Sequence, residues 1–197
     1  MDQHIAKMRN TLEKKFSTKL NDWDKFLGFF KLQKLEEGEH WVRAGEPCEE
    51  FFYISDGILR LYYVDQEGNE INEGFYEEGQ LLGPISSFAN GTPCPYFIQA
   101  LEPAHLVVAN YHQFHTYGEE DPALLRFEIT FMHDLFVKTA KRDGKRLISS
   151  GEQRYKWFCR EYPQFLDRVP QYHIASFLGM TPVSLSRLRK QIHSLHK

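Results

Sequence analysis

Residues 171–190, QYHIASFLGMTPVSLSRLRK, govern how the rest of the chain is read. They have the pattern of a helix-turn-helix. Ala175 stands where a first helix must let a second come close. Gly179 stands at the turn, which needs a residue tolerant of positive φ. Ile174, Leu178, Met180, Leu185 and Leu188 give both helices a common apolar seam. Thr181 is placed as an N-cap and Pro182 as the first helical residue, where a missing N–H costs nothing. The second helix then presents Val183, Ser184, Ser186, Arg187 and Lys190. These are small side chains and long cations with no acid, which suits a helix entering a DNA major groove. The same residues could make an ordinary helical hairpin with a basic face. Seam, small residue and turn glycine falling in register favour the DNA-binding reading.

Charge is distributed to match. The 197-residue chain has a formal net charge of −3, with 24 Lys and Arg against 27 Asp and Glu. Residues 138–197 hold 13 of those bases and only 4 of the acids, whereas residues 1–137 hold 11 bases and 23 acids. A basic end on an acidic body predicts a polyanionic partner for that end alone. No apolar run is long enough to span a bilayer, and no secretory signal is visible. Cys48, Cys94 and Cys159 form no CxxC pair and no zinc-like cluster, so a reducing cytoplasm is the expected setting.

The body of the chain reads as two kinds of structure. Residues 3–16 fit a short amphipathic helix with Ile5, Met8, Leu12 and Phe16 on one side. From residue 35 to 111, short apolar runs alternate with turn signals. EFFYIS, Asp56-Gly57 and ILRLYYV make a hairpin signature, followed by the turn DQEGN and the runs INEGFY, PYFIQALE and HLVVANY. Such spacing predicts a closed or two-sheet antiparallel barrel. Asp121-Pro122 then opens a helix with two apolar stripes. Leu125, Ile129, Met132, Phe136 and Ala140 form one stripe, and Leu124, Phe127, Phe131 and Leu135 form the other. One stripe is expected to face the barrel and the other the same helix of a second chain. The seam is taken to run through Phe131 and Leu135. Asp143-Gly144 marks a hinge or helix end. Either Ser149 with Glu152 or Ser150 with Gln153 has capping-box spacing for the next helix. Three helices are expected, near 151–161, 171–178 and 182–192.

In this order of parts the chain resembles the Crp/Fnr transcription regulators. Residues 37–70 look like the start of that family's barrel, with turns at Gly38, Gly45, Gly57 and Gly68. The stretch GPISSFANGTPCPYFIQ at residues 83–99 aligns with the family's phosphate-binding cassette. The closing VPQYHIASFLGMTPVSLSRLRK is most similar to the short members, and a complete β-wing after it is not expected. The resemblance implies an α+β chain. An antiparallel double-sheet, cyclic-nucleotide-binding-like barrel with its N-terminal helix would occupy 1–118, a dimerisation helix 119–148 and a DNA-binding domain 149–197. It implies a homodimer on an inverted-repeat operator in double-stranded DNA, with RNA polymerase as a further partner. Base readout would fall to Thr181, Val183, Ser184 and Arg187, and phosphate contacts to Gln171, Ser186, Arg189 and Lys190. The dimer helix would use Leu125, Phe127, Ile129, Phe131, Met132, Leu135 and Phe136.

The cassette departs from the nucleotide-binding members. Those members are expected to place a glutamate on the ribose and an arginine on the cyclic phosphate. Here Pro84 and Cys94 occupy the two positions, and Pro95 replaces a small hydroxyl residue. No Lys or Arg lies between Leu61 and Leu125. Tight binding of cyclic AMP or cyclic GMP is not expected, and no cofactor is predicted. Gly83, Pro84, Ile85, Ser86, Cys94, Pro95 and Tyr96 would line the pocket of any other effector, whose identity is unknown. His40 and His105 read as strand or surface histidines, and His112 with His115 could meet a metal if helical but has no carboxylate between the two, which disfavours a site. The cysteines do not form the cluster of iron–sulfur members. A cupin-type enzyme would need an HxH pair in the barrel, and only single histidines occur there. The remaining alternative is a small-molecule-binding or protein-binding barrel whose C-terminal helices do not bind DNA.

Overall fold

The computed structural model describes residues 2–16 and 27–194, with backbone only at Phe16, Glu120, Ala123, Phe127, His193 and Ser194. Helix α1 spans Gln3–Phe16. Eight strands follow: β1 Lys31–Leu35, β2 His40–Val42, β3 Glu50–Asp56, β4 Leu59–Val64, β5 Glu70–Tyr76, β6 Leu81–Leu82, β7 Phe97–Ala100 and β8 Ala104–Asn110. Helix α2, Ile85–Asn90, lies between β6 and β7. Five helices complete the chain: α3 Tyr111–Glu120, α4 Pro122–Ile148, α5 Gly151–Glu161, α6 Gln171–Phe177 and α7 Pro182–Ser194.

The strands form two four-stranded sheets, in the orders β1-β8-β3-β6 and β2-β7-β4-β5, rather than one closed barrel. The expected antiparallel double-sheet fold is therefore present. The structure divides into two compact units: residues 1–61 with 75–134, and residues 62–74 with 135–197.

In the first unit, side chains from both sheets meet in one cluster that includes Phe52, Ile54, Leu59, Leu61, Ile98, Leu106 and Val108. The residues between them, Tyr53 on β3 and Val107 on β8, face the other way. There they pack with Ile5, Met8 and Leu12 of α1, Phe114 of α3 and Leu124 of α4. So β3 and β8 are buried on both faces, which explains why FFYI and LVVA are continuous apolar runs and not strict alternations. The side chain of Phe16, read as part of the α1 stripe, lies outside the described residues. Helix α3 was not anticipated as an element. Its start is fixed by Asn110, whose side chain accepts from the Gln113 N–H at 3.0 Å.

Two expectations are corrected along α4. The helix runs through Asp143-Gly144 and ends at Ile148. A helical glycine costs about 1 kcal/mol, and the flanking Lys and Arg residues are good helix formers. The α4 apolar stripes also differ in kind. Leu124 is buried and Phe131 packs against the α1/α3 cluster of its own unit. Leu125, Ile129 and Phe136 are exposed at 39%, 61% and 71%.

The β3–β4 turn places Gly57 at φ +98°, where an added Cβ would lie 2.7 Å from the Ala104 Cβ and the Pro103 carbonyl oxygen. At Gly68 φ is +86°, with no atom near such a Cβ. Gly57→Ala is therefore expected to cost about 3 kcal/mol and Gly68→Ala only about 1 kcal/mol. Urea unfolding of both variants checks the ranking, and equal losses would contradict it.

Candidate nucleic-acid interface

The second unit is built on an aromatic core. Tyr155, Trp157 and Phe158 of α5 are buried with Phe165, Val169, Ile174, Ala175, Phe177, Leu178 and Leu185. The Phe158 and Phe177 rings lie 5.5 Å apart, and Trp157 stacks on Phe177 at 6.3 Å. Of the two possible capping boxes, the structure uses Ser150 with Gln153. The Ser150 hydroxyl accepts from the Gln153 N–H, and the Gln153 side chain accepts from the Ser150 N–H. Helix α5 thus begins one residue after its cap, at Gly151.

Helices α6 and α7 form the expected pair. Ala175 is fully buried, Ile174, Leu178 and Leu185 make the seam, and Gly179 takes φ +64°. The Thr181 hydroxyl accepts from the Ser184 N–H at 3.1 Å, so Thr181 is the N-cap of α7. It also meets the Ser184 hydroxyl at 2.9 Å, which ties the two polar side chains at the helix start to each other.

Arg154 was not singled out by the sequence, yet it joins three elements of this unit. Its Nε donates to the Leu178 carbonyl at 2.7 Å, at the end of α6, and its NH1 donates to the Ser149 carbonyl at 2.7 Å, just past α4. These are carbonyls that the helix ends leave without an intrahelical partner. A basic residue one turn into α5 is ordinary in a sequence, so no local signal marked it.

Helix α7 exposes Thr181, Val183, Ser184, Ser186, Arg187 and Lys190, and none of its thirteen residues is acidic. Gln171, Pro182, Leu185, Ser186, Arg189 and Lys190 border an open groove of about 410 Å³. Arg189 is half-buried and interacts with the Tyr155 hydroxyl, whose own pKa is raised chiefly by burial. Exposed Tyr172, beside Gln171 at the start of α6, adds an aromatic that the sequence reading passed over.

The cassette residues do not share one environment, and two of them are core. Gly83, Pro84, Cys94 and Tyr96 are buried, Ile85 is half-buried, and Ser86 and Pro95 are exposed. Cys94 and Tyr96 belong to the cluster between the sheets, and the Tyr96 hydroxyl donates to the Gly83 carbonyl at 3.3 Å. Burial pushes the Cys94 thiol up and that of Cys48 up to about 11, so both stay protonated at neutral pH. A Cβ at Gly83 would come within 2.8 Å of the Phe51 Cβ. The nearest cation in sequence, Arg60, is 3% exposed and donates from Nε to Gln99 Oε1 at 2.8 Å. It alternates with Leu59 and Leu61, which face the inter-sheet core, so it points away from that core.

The histidines sit as strand and helix residues. His105 on β8 stacks on His4 at 4.9 Å, and His115 meets the Glu128 carboxylate at 3.0 Å. No group of three metal-ligating side chains occurs among the described residues. On the dimer-helix candidates, Met132 and Leu135 are half-buried, and the Phe127 side chain lies outside the described residues.

The chain is similar to known proteins in sequence and in fold. Residues 32–121 match the Cyclic nucleotide-binding domain family. Electron transport regulator A of Shewanella oneidensis is 22% identical over 185 residues, covering 88% of this chain and 73% of that protein. The Fumarate and nitrate reduction regulatory protein of Shigella dysenteriae is 22% identical over 167 residues, covering 78% of this chain but only 65% of that protein. The fold of FixK2 from Bradyrhizobium japonicum superposes with a TM-score of 0.75 at 15% identity, over 85% of this chain and 86% of that one.

Replacing Arg154 with alanine leaves two helix-end carbonyls short of a charged donor. A loss of about 2 kcal/mol is expected. Thermal melting followed by the fluorescence of Trp157, in a background with Trp23 and Trp41 replaced by Phe, checks it. An unchanged melting curve would show that Arg154 does not hold the unit together.

Proposed function

We propose that this chain, a homologue of the Crp/Fnr regulators that carries a cyclic nucleotide-binding domain, is a dimeric, sequence-specific DNA-binding transcription regulator. One observation carries the reading: an exposed, acid-free face of α7, capped at Thr181 and set on a buried seam with α6. Val183 is 59% exposed and suits contact with a thymine methyl, while Arg187 suits bidentate contact with guanine. Ser184 lies on the same face, its hydroxyl shared with Thr181. Lys190, Ser186 and Gln171 line the groove beside that face and suit phosphates, with Arg189 set deeper against Tyr155. RNA polymerase in the cytoplasm is the partner such a regulator would engage.

The homodimer is proposed to form along Leu125, Ile129, Met132 and Phe136. An exposed apolar stripe on a 27-residue helix is best covered by the same stripe of a second copy. Phe131 is partly buried against the α1/α3 cluster of its own unit, which favours the exposed stripe over the one through Phe131 and Leu135.

Cyclic nucleotides are proposed not to control this protein. Cys94 and Tyr96 fill the inter-sheet core, and the cassette offers no cation to a phosphate. Burying an unpaired phosphate would cost several kcal/mol.

Arg187→Ala is expected to weaken binding to the specific site by about 1–3 kcal/mol and to relax preference at one base pair of each half-site. Lys190→Ala is expected to weaken all duplexes alike and to reduce the salt slope by about one unit. Fluorescence anisotropy across a salt series separates the two effects. A chain that binds no duplex at low salt would favour the ligand-binding or protein-binding alternative.

Charges on the exposed stripe test the dimer. Ile129→Glu with Phe136→Glu would bury two carboxylates in the seam, at a cost of several kcal/mol. Sedimentation velocity is expected to give a monomer, and a dimer of unchanged affinity would mean that another surface pairs the chains.

A further inference from the structure

Strand β5 is the last strand in its sheet order, and among the described residues its outer edge has no strand partner. An open edge presents backbone N–H and C=O groups that need partners. Residues 62–74, the hairpin tip that includes the first half of β5, belong to the same compact unit as the helix-turn-helix. Within that unit the edge is met by a side chain of α6. The Ser176 hydroxyl accepts from the Asn72 N–H at 3.0 Å and donates to the Glu70 carbonyl at 2.8 Å. Groups at positions i and i+2 point out of the same edge of a strand. One hydroxyl therefore stands in for the neighbouring strand that β5 lacks.

The side chain of Asn72 completes the joint. It is fully buried, and its amide nitrogen lies 3.3 Å from both the carbonyl oxygen and Nδ1 of His173. Donating to the carbonyl fixes that end of the side chain as the NH₂ group, so Nδ1 of His173 faces it as the acceptor. Further along the strand, Glu73 pairs with Arg142 of α4, and both side chains are largely buried. The hairpin itself is a stiff body. Asp65 accepts from the N–H groups of Glu67 and Asn69, at 2.9 and 2.8 Å, across its turn.

We propose that the edge of β5 is a clamp for the first helix of the helix-turn-helix, with Ser176 and Asn72 as its positioning residues, and that DNA affinity is set through it. Helix α6 carries Ala175 and Ile174, against which α7 packs. A clamp on α6 thus holds the DNA-facing helix in one orientation before DNA arrives, and removes an ordering cost from binding. Movement of the β4–β5 hairpin would pass directly to α6. The clamp rests on the DNA-binding reading for its effect on affinity, but its hydrogen bonds can be tested without DNA.

The experiment uses the full chain with Ser176→Ala, Asn72→Ala, Ser176→Thr and Gln66→Ala. Hydrogen exchange is followed over residues 70–74 and 171–178, and affinity is measured for a duplex selected by the unaltered protein. Ser176→Ala and Asn72→Ala are expected to speed exchange in both segments roughly tenfold. They are expected to weaken DNA binding about five- to tenfold. Ser176→Thr, which keeps a hydroxyl, should restore much of both properties. Gln66→Ala, on the exposed turn, should change neither. Exchange that is unaltered in both alanine variants overturns the clamp whatever the DNA result. Faster exchange with equal or tighter DNA binding overturns its positioning role. An unaltered protein that binds no duplex overturns the regulator reading, while the exchange arm still decides whether the clamp exists.

Discussion

The unit that holds α5, α6 and α7 depends on how its helix ends are closed. Helices α4, α5 and α6 stop within a few residues of chain turns, and each stop leaves carbonyls in need of donors. Arg154 supplies two of those donors from a single planar group, reaching Ser149 on one side and Leu178 on the other. With that joint made, Gly179 can take its left-handed turn and Thr181 can cap α7. The exposed face of α7 is thus presented by a frame with an aromatic centre, in which Arg154 meets two helix-end carbonyls.

Function in this protein follows from where charge is placed and where it is withheld. The cations are gathered at the C-terminal third, and α7 carries no acid to offset them. In the first unit the reverse holds. The segment aligned with a phosphate-binding cassette places Cys94 and Tyr96 in the cluster between the sheets, and the cation nearest in sequence, Arg60, is bonded to Gln99. The match to the Cyclic nucleotide-binding domain family covers residues 32–121, while residues 83–99 hold no Lys or Arg. The outer face of the β1-β8-β3-β6 sheet packs against helices α1, α3 and α4.

Much of this was legible in the sequence because the signals were local. The Asp56-Gly57 hairpin, the Asp121-Pro122 helix start and the Ala175…Gly179…Thr181-Pro182 turn each depend on residues close in the chain. Other features were not legible because they depend on partners far away. Which stripe of α4 is exposed was decided by Ile5, Met8 and Leu12 of α1, which cover Leu124 and Phe131. Strands β1, β2 and β6 are short, and only their pairing with β8, β7 and β3 defines them. Arg154, Asn72 and Ser176 carry no motif, and their roles come from bonds to residues 24, 101 and 104 positions away. The sequence showed Pro84 and Cys94 where charged partners were expected, but not that Cys94 and Tyr96 would pack into the cluster between the sheets, which depends on partners from other strands.

The central claim is that a symmetric pair of these helices reads DNA without a cyclic nucleotide. Selection of bound sequences from a random duplex pool, run with and without about 1 mM cyclic AMP, tests it most directly. The account expects the same inverted repeat in both selections, with half-sites centred about 34–36 Å apart. Enrichment that appears only with the nucleotide, or a motif without two-fold symmetry, would contradict it.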